Sequence, residues 1–290
     1  MAAEPHGDIL PPTKPLTLNV IRNQKPYLIM SWNVDGYSAD IHTWLLNLVT
    51  TVQPDVIFLS ETKRSADTLA GQFAQFTNYN AVINAHVPAQ MHGVVMLIRK
   101  EHTYEQIQIA MNIVARKDTK VTEAATGRVI TIRLNQQLYI IGSYTPNSGR
   151  SDPVKLNYRT QHWDPAFFQL LELLRSQGPT VWVGDINVAL DDIDVSNPKS
   201  MKGYAGFTAE ERANFRAVLS TGNWIDIWRQ QHPTDRVYTW CGAPPRPNYG
   251  LRLDNIVVSK SLVDNMMNTF MITECPMSAD HIPVCAYIRM

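Results

Sequence analysis

The chain is short of net charge, of cysteine and of long apolar runs, and each shortage excludes something. Basic and acidic residues cancel at 26 against 26 in 290 residues. No global field therefore advertises a polyanionic partner, and any nucleic-acid face has to be a local patch. Cysteine is scarce and odd in number (Cys241, Cys275, Cys285). That argues against a disulfide framework and for a reducing, intracellular compartment: the nucleus in a eukaryote, the cytoplasm otherwise. No apolar run approaches a membrane span, so no membrane partner is expected. The first 26 residues carry five prolines and lack the basic-then-apolar order of a signal peptide. They read as a flexible lead-in outside the fold.

From Tyr27 onward the chain has enough apolar residues, 44% overall, for a sizeable core. Strand-type runs cover Tyr27–Trp32, Asp55–Ser60, Asn80–Ile83, Gly93–Arg99, Val129–Leu134, Leu138–Tyr144, Thr180–Gly184, Arg252–Ser259 and Val284–Ile288. Helical segments are expected over Ala39–Val52, Lys155–Gln177, Ala209–Thr221 and Ser261–Met267. Thr208 followed by Glu211 forms a capping box for the third, and Gln53-Pro54 closes the first. No linker, repeat or low-complexity segment divides residues 27–290. The economical architecture is one α/β domain in which two sheets pack together with helices outside.

Polar clusters recur at the strand ends. In Val181-Trp-Val-Gly-Asp-Ile-Asn-Val-Ala189 an apolar strand breaks at a glycine and delivers Asp185 and Asn187 two positions apart. The pair shares one side if the extension persists. Ser31-Trp-Asn-Val-Asp-Gly36 repeats the device with Asn33 and Asp35, and Pro54–Lys63 carries a strand that ends at Glu61. Ser143-Tyr-Thr-Pro-Asn-Ser-Gly-Arg150 supplies Tyr144, Asn147 and Arg150, and Arg252-Leu-Asp254 precedes Ser278-Ala-Asp-His-Ile-Pro283. Each cluster alone has an ordinary explanation. Asn33 and Asp35 can cap a turn, Glu61 can be a solvated charge, and Trp32, Trp163, Trp182 and Trp224 suit a core. Their ordered co-occurrence is harder to dismiss.

That order resembles the exonuclease–endonuclease–phosphatase superfamily, and within it the exonuclease III type of abasic-site endonucleases, over about residues 27–288. The superfamily motifs are Asn-x-Asp-Gly, the strand ending in Glu61-Thr-Lys, Tyr-x-Pro-Asn, Gly-Asp-x-Asn and Asp-His-x-Pro. Asp192-Ile-Asp-Val-Ser-Asn-Pro-Lys199, Ala205-Gly-Phe-Thr208 and Ser148-Gly-Arg150 resemble the abasic-endonuclease branch.

The resemblance implies a four-layer α/β/β/α sandwich of two mixed sheets. It implies incision of duplex DNA 5′ to abasic sites with Mg2+ (or Mn2+), leaving a 3′-hydroxyl, and no obligate protein partner. Glu61, Asp35 and Asp280 would ligate the metal. Asp185 would activate water and Asn187 would hold the phosphate. Asn33 would bond within the cluster, and His281, oriented by Asp254, would contact phosphate. Tyr144 would approach the phosphate or leaving oxygen. Asn147 would support the local hydrogen-bond network at the DNA, Arg150 would enter the DNA stack, and Trp240, Leu251 and Tyr204 would border the sugar pocket. Arg159, Lys199, Lys202 and Arg246 are either phosphate contacts or solvated surface charge.

Three positions depart from the family pattern. Tyr204 stands where asparagine is common, Leu251 where tryptophan is common, and Asn255 where an aromatic is common. Substrate choice therefore stays open between an abasic-site enzyme, a nicking endonuclease of relaxed specificity, a 3′-phosphatase or 3′–5′ exonuclease, and an inactive DNA-binding protein.

Overall fold

A computed structural model describes residues 25–107, 126–242, 249–276 and 278–290. The expected lead-in up to residue 24, Arg246 and most of the Trp240–Gly250 loop lie outside the described residues. The strands are β1 (Tyr27–Asn33), β2 (Val56–Ser60), β3 (Tyr79–Asn84), β4 (Val94–Arg99), β5 (Tyr104–Gln106) and β6 (Val129–Leu134). They continue with β7 (Leu138–Tyr144), β8 (Thr180–Asp185), β9 (Trp224–Asp226), β10 (Asp254–Ser259), β11 (Met266–Met271) and β12 (Val284–Ile288). The longer helices are α1 (Ala39–Thr51), α2 (Ala66–Phe73), α3 (Asp164–Gln177) and α4 (Ala209–Ser220).

Two six-stranded sheets form, in the orders β11-β12-β1-β2-β4-β3 and β5-β6-β7-β8-β10-β9. Each has one parallel pair, β1 with β2 and β7 with β8, among antiparallel neighbours. Side-chain alternation builds the layers. Ile29, Val56, Phe58, Ile140, Val181 and Val183 fill the space between the sheets. Leu28, Met30, Trp32, Ile57 and Leu59 face outward and pack with Ile41, Leu45 and Leu69 of the helices. Tyr139, Ile141 and Trp182 do the same with Phe167, Leu170 and Phe215 on the other side. The expected four-layer sandwich is therefore the observed one. The sheets approach so closely at Gly142 that a Cβ there would come within 2.2 Å of the Phe58 ring.

Three local expectations change. The helix expected over Ser261–Met267 is a 3-10 turn, Lys260–Asn265, followed by β11. Pairing of Phe270 with Cys285 and Met271 with Val284 on β12 outweighs the weak helical pattern. The helix expected over Lys155–Gln177 contains a π turn at Tyr158–Trp163 between two α-helical segments. Helix α2, capped by Ser65, was not anticipated, and nor were the three-residue strands β5 and β9. The Thr208–Glu211 capping box is present.

Both parallel pairs end at the same side of the molecule. Asn33, Ser60 with Glu61 beyond it, Tyr144 and Asp185 close β1, β2, β7 and β8. Antiparallel β10 begins opposite Asp185 at Asp254, and β12 begins opposite Ser31 just after His281. One face thus collects all the polar clusters, at the carboxyl ends of parallel strands where such sheets commonly bind ligands.

Candidate active site

The centre is built on side chains that bond each other. Asn33 donates from Nδ2 to Glu61 Oε1 at 2.9 Å and to Asp185 Oδ2 at 3.0 Å, joining the two sheets. Asp185 also accepts from the Asn187 backbone N at 2.9 Å and from its Nδ2 at 3.2 Å. Asn187 reaches back because its backbone is left-handed (φ 49°), and Asp35 is too (φ 43°). The expectation that each i, i+2 pair shares a face through continued extension is thus corrected. The strands stop at Asp185 and Asn33, and a left-handed turn positions the second residue. Gly184 makes the approach possible, since a Cβ on it would lie 1.9 Å from the Ser143 carbonyl oxygen.

On one side stand the carboxylates. Lys63 forms ion pairs with Asp35 and, at 2.9 Å, with Glu61. Glu61 and Lys63 also hold left-handed backbones (φ 54° and 51°), strain of the kind that collects at functional sites. Burial opposes ionisation of Glu61, but Asn33 and Lys63 prevail and hold it below its usual range. Burial raises Asp280, with Asp35 and Glu61 adding repulsion, although Trp240 Nε1 donates to its Oδ2 at 2.8 Å.

On the other side His281 Nδ1 meets Asp254 Oδ2 at 2.6 Å. Burial resists charging this imidazole, yet Asp254, Asp185 and Asp280 together lift it to about 10. Asp185, almost fully buried, is pushed by desolvation and by the carboxylates of Asp254 and Glu61 up to about 7. A carboxylate that titrates near neutrality beside an imidazolium suits proton transfer at a phosphodiester.

Residues 30–266 match the model of the endonuclease/exonuclease/phosphatase family. The chain belongs to this family. It is 34% identical over 261 residues to a DNA-(apurinic or apyrimidinic site) endonuclease of Dictyostelium discoideum, covering 88% of this chain and 69% of that one. It is 32% identical over 269 residues to the DNA repair nuclease APEX1 of Danio rerio, with 90% and 82% covered. An exodeoxyribonuclease of Bacillus subtilis is 30% identical over 262 residues, with 88% and 97% covered. An AP endonuclease structure from Leishmania major superposes with a TM-score of 0.78 at 26% identity, over 91% of this chain and 88% of that chain.

As a family member the chain shows how its motifs meet. Tyr144 lies beside Asp185 and Glu61, and burial with these two carboxylates raises its phenol well above the usual range. Asn147 donates to Asn187 Oδ1 at 3.0 Å, and Asn187 Nδ2 donates to the Thr145 carbonyl at 2.8 Å. At the rim, Arg150 donates to the Tyr204 hydroxyl at 2.9 Å and stacks over its ring at 4.8 Å. Trp240 bridges to Leu251 and His281. Leu251 is buried with Ala189, Val195, Met201, Phe207 and Leu253, so it is a wall more than a contact surface.

Arg159 corrects both readings offered for it. It is buried, and it donates to Asp164 at 2.7 Å and to the carbonyls of Pro146 and Ile186 at 2.9 Å each. Carried on the π turn, it braces the loops that present Asn147 and Asn187 and is neither surface charge nor phosphate contact. Trp32, Trp163, Trp182 and Trp224 are core, as read. Lys63 was missed. Its signal was its place two residues after Glu61 in the quoted motif.

Asp35, Glu61 and Asp280 are all carboxylates; Lys63 pairs with the first two, and the charges of both help to raise Asp280. Such an oxygen-only set fits a hard divalent ion. Among the described residues, the group whose metal-capable atoms all lie within 4.8 Å of one another is Asp55, Glu101 and His102. It lies at the opposite end of β2, and Arg99 already pairs with both carboxylates.

No described helix is long and apolar enough to cross a membrane.

Proposed function

We propose that residues 27–290 form one catalytic domain, a Mg2+-dependent endodeoxyribonuclease that incises duplex DNA 5′ to abasic sites and leaves a 3′-hydroxyl. The carrying observation is the buried Asp185, bonded by Asn33 and Asn187 and facing the His281–Asp254 pair. The relatives named as abasic-site endonucleases support the substrate class.

In this reading Asp185 takes a proton from the attacking water, whose oxygen bonds to phosphorus while the bond to the preceding 3′ oxygen breaks. His281, kept charged by Asp254, holds a non-bridging oxygen, and Asn187 places the phosphate. Tyr144 donates toward the phosphate or the departing oxygen. Glu61, Asp35 and Asp280 would hold Mg2+ (Mn2+ fits the same donors), which when bound neutralises phosphate charge. Arg150 and Asn147 would meet the DNA backbone and stack, with Trp240, Leu251 and Tyr204 around the sugar. A 3′–5′ exonuclease activity of the same centre is the second reading, supported by the relative named exodeoxyribonuclease.

Asp185→Asn tests the assignment. Cleavage of an abasic duplex should fall by roughly 10²–10⁴-fold while duplex binding persists. Unchanged cleavage would remove Asp185 from the chemistry.

A further inference from the structure

Among the described residues, three of the four buried arginines pair with carboxylates. Arg99 has Asp55, Arg159 has Asp164, and Arg252 has Asp194 and Asp226. Arg128 is an exception among the described residues. It is only 8% exposed, yet its hydrogen-bond partners carry no negative charge. Nη1 donates to the Tyr144 carbonyl at 3.2 Å, Nη2 meets His92 Nε2 at 2.9 Å, and the guanidinium lies over the Tyr144 ring at 4.8 Å. Its buried Nε has no partner at all. A buried cation with no carboxylate in contact is costly to keep; the more distant charge of Glu61 favours it, and it abuts the ring of a residue in the proposed centre.

His92 completes the arrangement. Guanidinium nitrogens only donate, so His92 Nε2 must accept and the imidazole must carry its proton on Nδ1. Its ring lies 5.7 Å from that of Tyr144 and 4.8 Å from that of His86. Its backbone is left-handed (φ 52°), and its carbonyl accepts from the Lys63 N at 2.9 Å. The next residue, Gly93, donates to the Gly127 carbonyl at 2.9 Å. The loop carrying His92 is thus pinned both to the carboxylate side of the centre and to the base of Arg128.

We propose that His92 and Arg128 form a positioning pair that fixes the Tyr144 ring for its contact with the substrate phosphate, whose charge the guanidinium, in contact with no carboxylate, then faces. The inference deepens the proposed function and rests on it.

Two measurements on the full chain test it. In 15N-histidine NMR without substrate, His92 should be neutral and protonated on Nδ1; an Nε2-protonated ring would overturn the pair. Steady-state cleavage of a duplex containing a tetrahydrofuran abasic analogue, with Mg2+, then tests its action through Tyr144. His92→Ala should lower kcat by about 10-fold, with KM changed by less than about 2-fold. His92→Gln, whose amide oxygen can accept from Arg128, should restore most of the loss. In a Tyr144→Phe background, His92→Ala should cost less than about 2-fold. An equal loss in both backgrounds, or no loss in kcat, would overturn the inference. Wild-type protein that cuts no duplex refutes the proposed function instead, and the tautomer still decides whether the pair exists.

Discussion

Replacing Arg159 by methionine keeps the apolar stem and removes the fork. It strands the Asp164 carboxylate, itself 2% exposed, with Asn214 Nδ2 at 3.0 Å as a remaining donor. The carbonyls of Pro146 and Ile186 lose their donors as well. Breaking a buried ion pair by removing one partner costs about 3–5 kcal/mol. The stranded carbonyls would add roughly 1 kcal/mol each if nothing relaxed, so the lower figure holds only if water enters. For a domain of this size 1 kcal/mol shifts the melting temperature by about 2–4 °C. Arg159→Met should therefore melt about 10 °C below the parent by circular dichroism, with Arg159→Lys between them. Cleavage should fall too, because Asn187 sits on the loop that Arg159 braces. A melting temperature within about 2 °C of the parent, coupled with a shallower salt dependence of DNA binding, would refute the brace and restore a surface phosphate contact.

Other expectations follow from the same geometry. The folded protein lifts His281 from its ordinary 6.5 to about 10, so its pairing with Asp254 stabilises fully below pH 6.5 and fades as pH rises toward 10. The melting-temperature gap between the metal-free parent and Asp254→Asn should be widest below pH 6.5 and close toward pH 10; a constant gap would contradict this. Leu251→Trp, which restores the residue common in the family, should overpack the buried wall around Phe207 and Met201 and cost about 1–3 kcal/mol in urea unfolding. Arg150→Ala should leave stability within about 1 kcal/mol, because its stack on Tyr204 is exposed. It should also reduce the slope of log affinity against log salt by about one for an abasic duplex; an unchanged slope would remove Arg150 from the DNA.

The strands that carry the site were legible because buried β-branched and aromatic runs such as Val56–Leu59 and Val181–Val183 read as strands on local pattern alone. Polar residues at their ends, Glu61 and Asp185 among them, stood out against those runs. The turns after the strands were not legible, since the left-handed backbones of Asp35, Glu61 and Asn187 are not glycine positions. β11 was hidden because its pairing partner, β12, lies elsewhere in the sequence, and β5 and β9 are too short to carry a pattern. Arg159 and Arg128 show the wider limit. An arginine in a sequence gives no sign of whether it will be solvated, paired with Asp164 from a π turn, or left beside an aromatic ring with no carboxylate in contact. Tertiary contact decides each case.

The central claim meets its most direct test in cleavage of two labelled duplexes that differ only in a tetrahydrofuran abasic analogue, with Mg2+ and an EDTA control. A single metal-dependent nick 5′ to the analogue, with the undamaged duplex spared, is the predicted result. Equal nicking of both duplexes would contradict abasic-site specificity, and cleavage of neither would contradict the proposed endonuclease.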